Sequence, residues 1–266
     1  YRRGYYDDGE PLGSSGGDEC RIDALAQAWA VISGIAPPER AAAAMDSVER
    51  HLVSDEDALI RLLTPPFEHT PRDPGYIRGY VAGVRENGGQ YTHAALWVVR
   101  AAAMLRRRDR AAALLELLNP VHHAATPEQV RTYRVEPYVV AADVYGAPPH
   151  VGRGGWTWYT GAAGWMLRTA VEFVLGFRVE GGSTLCLDPC VPDAWPGFRL
   201  TYRRPGDGTE CRIHVTNPDG CAEAVVSAEL DGTAARPEAG ALRVALPADG
   251  GVHRLHVVLG PGGAAA

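Results

Sequence analysis

At 266 residues, 46% of them hydrophobic, the chain can form one large domain or two smaller ones and bury a sizeable core. Its formal net charge of −6 argues against a nucleic-acid groove, which needs a basic stripe against phosphate backbones. No apolar run approaches the roughly 18–20 residues of a membrane span, and YRRGYYDD lacks the apolar stretch of a signal peptide.

Helical patterns come first in the chain. ECRIDALAQAWAVISG (19–34) puts Ile22, Leu25, Ala26, Trp29 and Ile32 on one face, with Gly34 as its stop. PPERAAAAMDSVERHLV (37–53) opens on prolines, which suit a helix start. HAALWVVRAAAMLRRRD (93–109) is apolar around most of its circumference and predicts a buried helix, followed by RAAALLELLNP (110–120). TPEQVRTY (126–133) carries a capping-box start, and EPYVVAADVYG (136–146) and TGAAGWMLRTAVEFVLG (160–176) complete the helical set. Helix pairs with polar loops at one end point to an α-toroid, with fewer helices than a closed double ring needs.

After Gly176 the pattern alternates with period two. TLCLD (184–188), FRLTYR (198–203), ECRIHVTN (210–217), AEAVVSAEL (222–230), ALRVALP (241–247) and VHRLHVVLG (252–260) predict strands, separated by the turns PGDG, NPDG and ADGG. The expected class is therefore mainly α with a β appendage, a small antiparallel β-sandwich-like domain over 177–262 and a frayed tail at 263–266. Cys20, Cys186, Cys190, Cys211 and Cys221 are odd in number and lack zinc-type spacing, so they read as structural or incidental in a reducing compartment.

Two loops read as chemistry. In VRENGGQYTHAALW (84–97), Gly88–Gly89 allows close backbone approach to a ligand, and Thr92 and His93 open the next helix. In GRGGWTWYTGAAGWM (152–166), Thr160 and Gly161 stand at another helix start. Helix N-termini expose unpaired N–H groups and a positive dipole end, so both suit an anion such as phosphate, with His93 charged if the anion raises its pKa. Thr-Gly before a helix is also an ordinary cap, and a histidine in a first turn is often structural. Sugar stacks on aromatic faces and bonds through its hydroxyls. Trp156, Trp158, Tyr159, Tyr91 and Tyr138 are available as platforms, and Glu86, Asn87, Gln90, Glu136 and Arg153 as hydroxyl partners. Trp29, Trp97 and Trp165 lie on apolar helical faces and read as core. YYDDGEP (5–11) lacks calcium-loop spacing and reads as a turn, and His122–His123 as loop structure.

YYDDGEPLGS, DECRIDALAQAWAVISG, PGYIRGYVAGVRENGGQYTHAALW, LLNPVHHAATPEQVRTYRVEPYVVAADVY and PPHVGRGGWTWYTGAAGWM together resemble glycoside hydrolase family 94. They are most like the C-terminal phosphorylase region of cyclic β-1,2-glucan synthases. The resemblance implies half of an (α/α)6 barrel over 1–176, ahead of the β-domain. It implies reversible phosphorolysis of a β-glucosidic bond with inversion, using inorganic phosphate, releasing α-glucose 1-phosphate and needing no cofactor or metal. On the matching motifs, His93, Thr160 and Gly161 correspond to phosphate-binding residues, and Glu86 to a carboxylate at the glucose subsite. Gln90, Glu136, Tyr138 and Trp158 are the further expected substrate contacts. The family's general acid is an aspartate of a DWND-type segment, expected upstream of Tyr1, so the chain is expected to be a C-terminal part that is inactive alone. Asp7, Asp8, Asp18 and Asp23 are not candidates for that role. Val139–Val140–Ala141–Ala142 replace the amide that disaccharide phosphorylases place after EPY, which favours the glucan-synthase branch. The partners implied are a β-glucan or oligosaccharide and phosphate, in the cytoplasm, with a membrane-anchored parent and a homodimer left open. An inverting hydrolase, or a non-catalytic carbohydrate-binding module, stays open as an alternative.

Overall fold

The computed structural model describes residues 1–262; the expected tail at 263–266 lies outside the described residues. Its α-helices are Ala24–Ile32 (α1), Pro38–Leu52 (α2), Thr92–Met104 (α3), Arg108–Leu117 (α4), Pro127–Tyr133 (α5) and Ala162–Arg168 (α6). Each start has a local cause. Asp23 caps α1 by accepting the Leu25 N–H at 2.7 Å, and Pro38 opens α2. In α5, Thr126 Oγ1 accepts the Gln129 N–H at 3.2 Å, while the Gln129 side chain accepts the Thr126 N–H at 3.0 Å. α3 is buried on most sides, from Ala94 to Ala103, and its alanines let α1 pack closely against it.

The strands are Gly4–Tyr5 (β1), Pro11–Leu12 (β2), Ile22–Asp23 (β3), Val53–Ser54 (β4), Leu59–Ile60 (β5), Leu63–Thr64 (β6), Gln90–Tyr91 (β7), Asp143–Val144 (β8), Phe177–Glu180 (β9), Thr184–Leu187 (β10), Gly197–Arg203 (β11), Glu210–Thr216 (β12), Ala224–Leu230 (β13), Thr233–Ala235 (β14), Leu242–Ala245 (β15) and Val252–Gly260 (β16). This corrects the expected fold class. The chain is not mainly α: 28% of it is helix and 25% strand, in several sheets. Segments between the helices satisfy backbone groups through short ladders, β1 with β2, β3 with β6, β4 with β5 and β7 with β8. The expected helix over 136–146 does not form. Its backbone groups pair with distant segments instead: the Ala142 N–H donates to the Trp156 carbonyl, the Tyr145 N–H to the Arg153 carbonyl, and Asp143–Val144 pairs as β8. The helix expected over 160–176 is α only to Arg168. It continues as a π-turn, in which the Leu175 N–H reaches the Ala170 carbonyl at 2.8 Å.

The chain divides into two compact units. One comprises Tyr1–Leu105 and Ala113–Thr169, the other Arg106–Ala112 and Ala170–Ala266. In the first, Cys20, Leu63, Phe67 and Ile77 form one core cluster, and Leu59, Tyr133, Ala141 and Val144 another. The second holds a three-stranded sheet, β15-β10-β9, and a five-stranded sheet, β11-β12-β16-β13-β14. It is not wholly antiparallel as expected. After β12 the chain runs through β13, β14 and β15 before β16 returns parallel to β12. Cys211, Ile213 and Val215 of β12 alternate inward beside Leu255, Val257 and Leu259 of β16.

A charged clasp ties the β13–β14 turn to the segment that leads into β16. His253 Nδ1 lies 2.6 Å from Asp231 Oδ2, and its Nε2 lies 2.9 Å from Asp249 Oδ1. An imidazole bonded to carboxylates at both nitrogens must donate from both, so it is the imidazolium. The bonds from Asp249 and Asp231 hold the His253 pKa above its ordinary value. The contribution to stability is therefore full below the unfolded value of about 6.5 and lost as pH rises through the higher folded value. The gap in thermal midpoint between the wild-type chain and His253→Ala should be wide near pH ~6 and narrow toward pH ~9. A gap independent of pH across that range would contradict the clasp.

Candidate functional site

The entrance of α3 is built by a pairing between segments far apart in sequence. Gln90 faces Val144 and Tyr91 faces Asp143 in the β7–β8 ladder. The Thr92 N–H donates to the Ala142 carbonyl at 2.9 Å, and the Ala142 N–H to the Trp156 carbonyl at 2.6 Å. Asp143 is buried and accepts the Trp156 N–H at 3.2 Å. Glycine is required at 155, because a Cβ there would lie 2.5 Å from Asp143 Oδ2. Burial pushes the Asp143 carboxyl up, opposed by the Trp156 bond and by Arg85. These contacts draw the segment carrying Trp156 to Gly161 toward the start of α3.

His93 is the second residue of α3 and sits among rings. Tyr91 stacks on it at 6.5 Å and 7°, Trp97 meets it at 4.5 Å and 63°, and Trp165 of α6 lies at 5.4 Å. A Cβ on Gly161 would lie 4.0 Å from His93 Nδ1, so the two phosphate candidates are neighbours. His93 Nε2 is closed off from solvent with no hydrogen-bond partner among the described residues. Burial pushes the His93 imidazole down, so in the protein by itself it favours the neutral form. Thr160 Oγ1 accepts the Ala162 N–H at 3.0 Å just ahead of α6, and its own proton can still be donated elsewhere.

Glu86 lies toward the Tyr91 side. Burial first, and the Glu86 carboxylate second, push the Tyr76 and Tyr91 phenols up. Glu86 Oε2 is shut from solvent without a partner. Farther out, Trp158 Nε1 donates to Glu136 Oε1 at 2.9 Å, which is the leading reason that the Glu136 carboxyl is held down. Tyr138 meets Trp158 edge-on at 6.2 Å. Both rings are exposed, at 70% and 68%, and Trp158 has φ of 67°, a strained left-handed conformation for a bulky residue. Glu136, Tyr138 and Trp158 thus form one group and His93, Thr160 and Gly161 another, joined by residues 158–161.

Some expected contacts are structural instead. Gln90 is buried, with Oε1 accepting the Ile60 N–H at 3.0 Å and Nε2 donating to Thr92 Oγ1 at 3.3 Å. It braces the α3 entrance rather than reaching a sugar. Asn87 is fully buried and bonds the Phe67 N–H, the Phe67 carbonyl and the Tyr80 carbonyl. Gly88 and Gly89 do not open toward a ligand. A Cβ on Gly88 would lie 2.9 Å from Pro66, and one on Gly89 2.9 Å from the Gly83 carbonyl. Asp23 caps α1 and pairs with Arg3, and Asp8 pairs with Arg72. His122 pairs with Glu116, and His123 stacks on Tyr133. Sequence reasoning overlooked Asp143, whose one signal is a lone carboxylate in the apolar run VVAADV. It also took Trp97 and Trp165 for plain core, although Trp97 follows His93 by one helical turn and its Nε1 has no partner.

Residues 1–176 match the family description "Glycosyl hydrolase 94 superfamily, catalytic domain". The chain belongs to glycosyl hydrolase family 94. It is 52% identical over 227 residues to the cyclic β-(1,2)-glucan synthase NdvB of Rhizobium meliloti, covering 85% of this chain and 8% of that protein. It is 34% identical to the N,N'-diacetylchitobiose phosphorylase of Vibrio proteolyticus, covering 98% of this chain and 31% of that enzyme. It is 33% identical to the 3-O-β-D-glucopyranosyl-β-D-glucuronide phosphorylase of Paenibacillus borealis, covering 88% and 30% respectively. The chain therefore spans about a third or less of the length of these relatives. Among its described residues, no helix is long and apolar enough to cross a membrane.

In this family 94 chain, Asn87 and Glu86 should respond oppositely to substitution. Asn87→Ala leaves buried groups of Phe67 and Tyr80 unpaired, and should cost about 2–3 kcal/mol in denaturant unfolding. Glu86→Gln removes a carboxylate with an unsatisfied oxygen, and should leave stability unchanged or raise it slightly. Equal losses for both would show that Glu86 is structural.

Proposed function

We propose that this chain supplies the phosphate side and part of the sugar side of an inverting β-glucoside phosphorylase acting on β-1,2-linked glucan. The observation that carries the reading is the approach of Gly161 to the Nδ1 edge of His93 at the start of α3, on a ring whose Nε2 has no hydrogen-bond partner among the described residues. α3 has no side-chain cap and no acid in its first turn, so its N-terminal dipole end favours an anion. Phosphate held there receives bonds from His93, the Thr160 hydroxyl and the Gly161 N–H. Glu86 accepts a glucose hydroxyl, and Tyr138 and Trp158, with Glu136, form an outer platform for further sugar units. The β-1,2 linkage is favoured by the identity to the Rhizobium synthase.

In this reaction phosphate takes the place of the attacking water of an inverting hydrolase. An oxygen of the dianion attacks C1, the C1–O bond to the leaving sugar breaks, and an acid protonates that oxygen. Holding the dianion beneath C1 is positioning and electrostatic work, and it needs no second carboxylate as base. The acid is proposed to come from an Asp-Trp-Asn-Asp-type segment, which the 266 residues do not contain. The cytoplasm, where phosphate and glucose 1-phosphate are available, is the proposed setting.

Assayed by itself with phosphate and β-1,2-glucooligosaccharides, the 266-residue chain should release no glucose 1-phosphate; turnover would show that the acid lies within it. In a full-length protein that contains it, His93→Ala and Thr160→Ala should each lower kcat/KM for phosphate about 10²-fold or more. Unchanged phosphate dependence would remove those roles, and glucose as product instead of glucose 1-phosphate would identify a hydrolase.

A further inference from the structure

His93 is half-buried, and the groups around its ring are aromatic side chains. Tyr91 lies parallel to the ring at 6.5 Å, Trp97 approaches at 4.5 Å and Trp165 at 5.4 Å, and Trp97 in turn meets Trp29 at 5.2 Å and Trp165 at 5.7 Å. None of these rings carries a counter-charge. The titratable groups on the packed elements are Tyr91 beside the imidazole, Glu86 near Tyr91, Asp143 across the ladder from Tyr91, and Arg168 over Trp165 at 5.2 Å. Burial pushes the His93 imidazole down. Indole rings are nonetheless good neighbours for a cation, so an imidazolium fits here once an anion balances it.

We propose that this aromatic cage makes His93 an anion-coupled proton acceptor, taking up one proton from solvent as phosphate binds, with Trp97 and Trp165 as the positioning residues. The inference rests on the phosphate reading of His93. A neutral imidazole offers one N–H donor, whereas the imidazolium offers two and a full charge. The new N–H bond on the ring is formed with a proton released by the solvent's buffer acid, and no other bond changes. The cage thus suits phosphorolysis in two respects. It keeps a cation away from the neutral sugar until the anion arrives, and it then adds a full charge to the hold on the dianion.

The test is a pH titration of the imidazole signals of the 266-residue chain by NMR, alone, with inorganic phosphate, and with sulfate, which stays a dianion throughout. The His93 midpoint should lie below the ordinary value of about 6.5 in the chain alone and rise by about one unit with either anion, a tenfold preference for the protonated form. Trp165→Leu should bring the midpoint of the chain alone toward the ordinary value and shrink the anion-induced rise, while Trp165→Phe restores both. If the amides of Thr92–Ala95 and Gly161 respond to phosphate but the His93 midpoint stays fixed, the coupling is overturned and the phosphate site stands. If neither amides nor ring respond, both are overturned. An unchanged rise in Trp165→Leu would remove the role of the cage. The wild-type titration decides the coupling even if that variant does not fold.

Discussion

The two-residue ladder between Gln90–Tyr91 and Asp143–Val144 is the contact on which the candidate site depends. A ladder this short does not hold two distant segments together by itself, since closing the intervening chain costs entropy. It survives because its flanks are nailed down. Gln90 bridges Ile60 and Thr92 from inside the core, and Asp143 holds the Trp156 N–H from a buried position. Once this junction forms, α3 begins where the segment of residues 154–161 passes, and His93 and Gly161 become neighbours. The polar residues around the entrance thus divide between those that hold the junction and those that face outward from it.

That division follows from hydrogen-bond satisfaction. Gln90 and Asn87 have their amides committed to protein groups, which is how a buried amide is stable. His93 Nε2, Trp97 Nε1 and Glu86 Oε2 are buried atoms without partners, all close to the α3 entrance. Such atoms cost a fold stability when nothing satisfies them. The proposed anion site would rely on a helix terminus, a hydroxyl, a backbone N–H and the His93 imidazole, with no lysine or arginine among the assigned residues. A site of this kind binds through geometry more than net charge, consistent with a chain that is acidic overall.

The family motifs were legible because they are runs of consecutive residues whose identity alone carries information. Helices α1, α2, α3 and α5 were legible from local signals, an apolar face in α1 and α3, opening prolines in α2, and in α5 the Thr126–Gln129 box formed as its spacing requires. The segment 136–146 was not. Its apolar run satisfies a helical period, but its actual partner is β7, which no local pattern reveals. The overestimate of helix has the same origin, since two-residue strands leave no periodicity to read. The parallel neighbourhood of β12 and β16 likewise depends on the route of the intervening strands.

By itself the sequence determined the family, the main helices, the alternating strands after Gly176, and which side-chain types are available for phosphate and sugar. Tertiary structure alone decided how those side chains are used. Gln90, Asn87 and the Gly88–Gly89 pair look like ligand-facing groups in one dimension and prove to be packed inside. Trp97 and Trp165 look like core and prove to be the walls around His93. The physical reason is that burial and hydrogen-bond partnership are properties of which distant segments meet. A residue's chemistry is written locally, but whether its polar atoms are spent on the fold or left for a ligand is settled only when the chain closes.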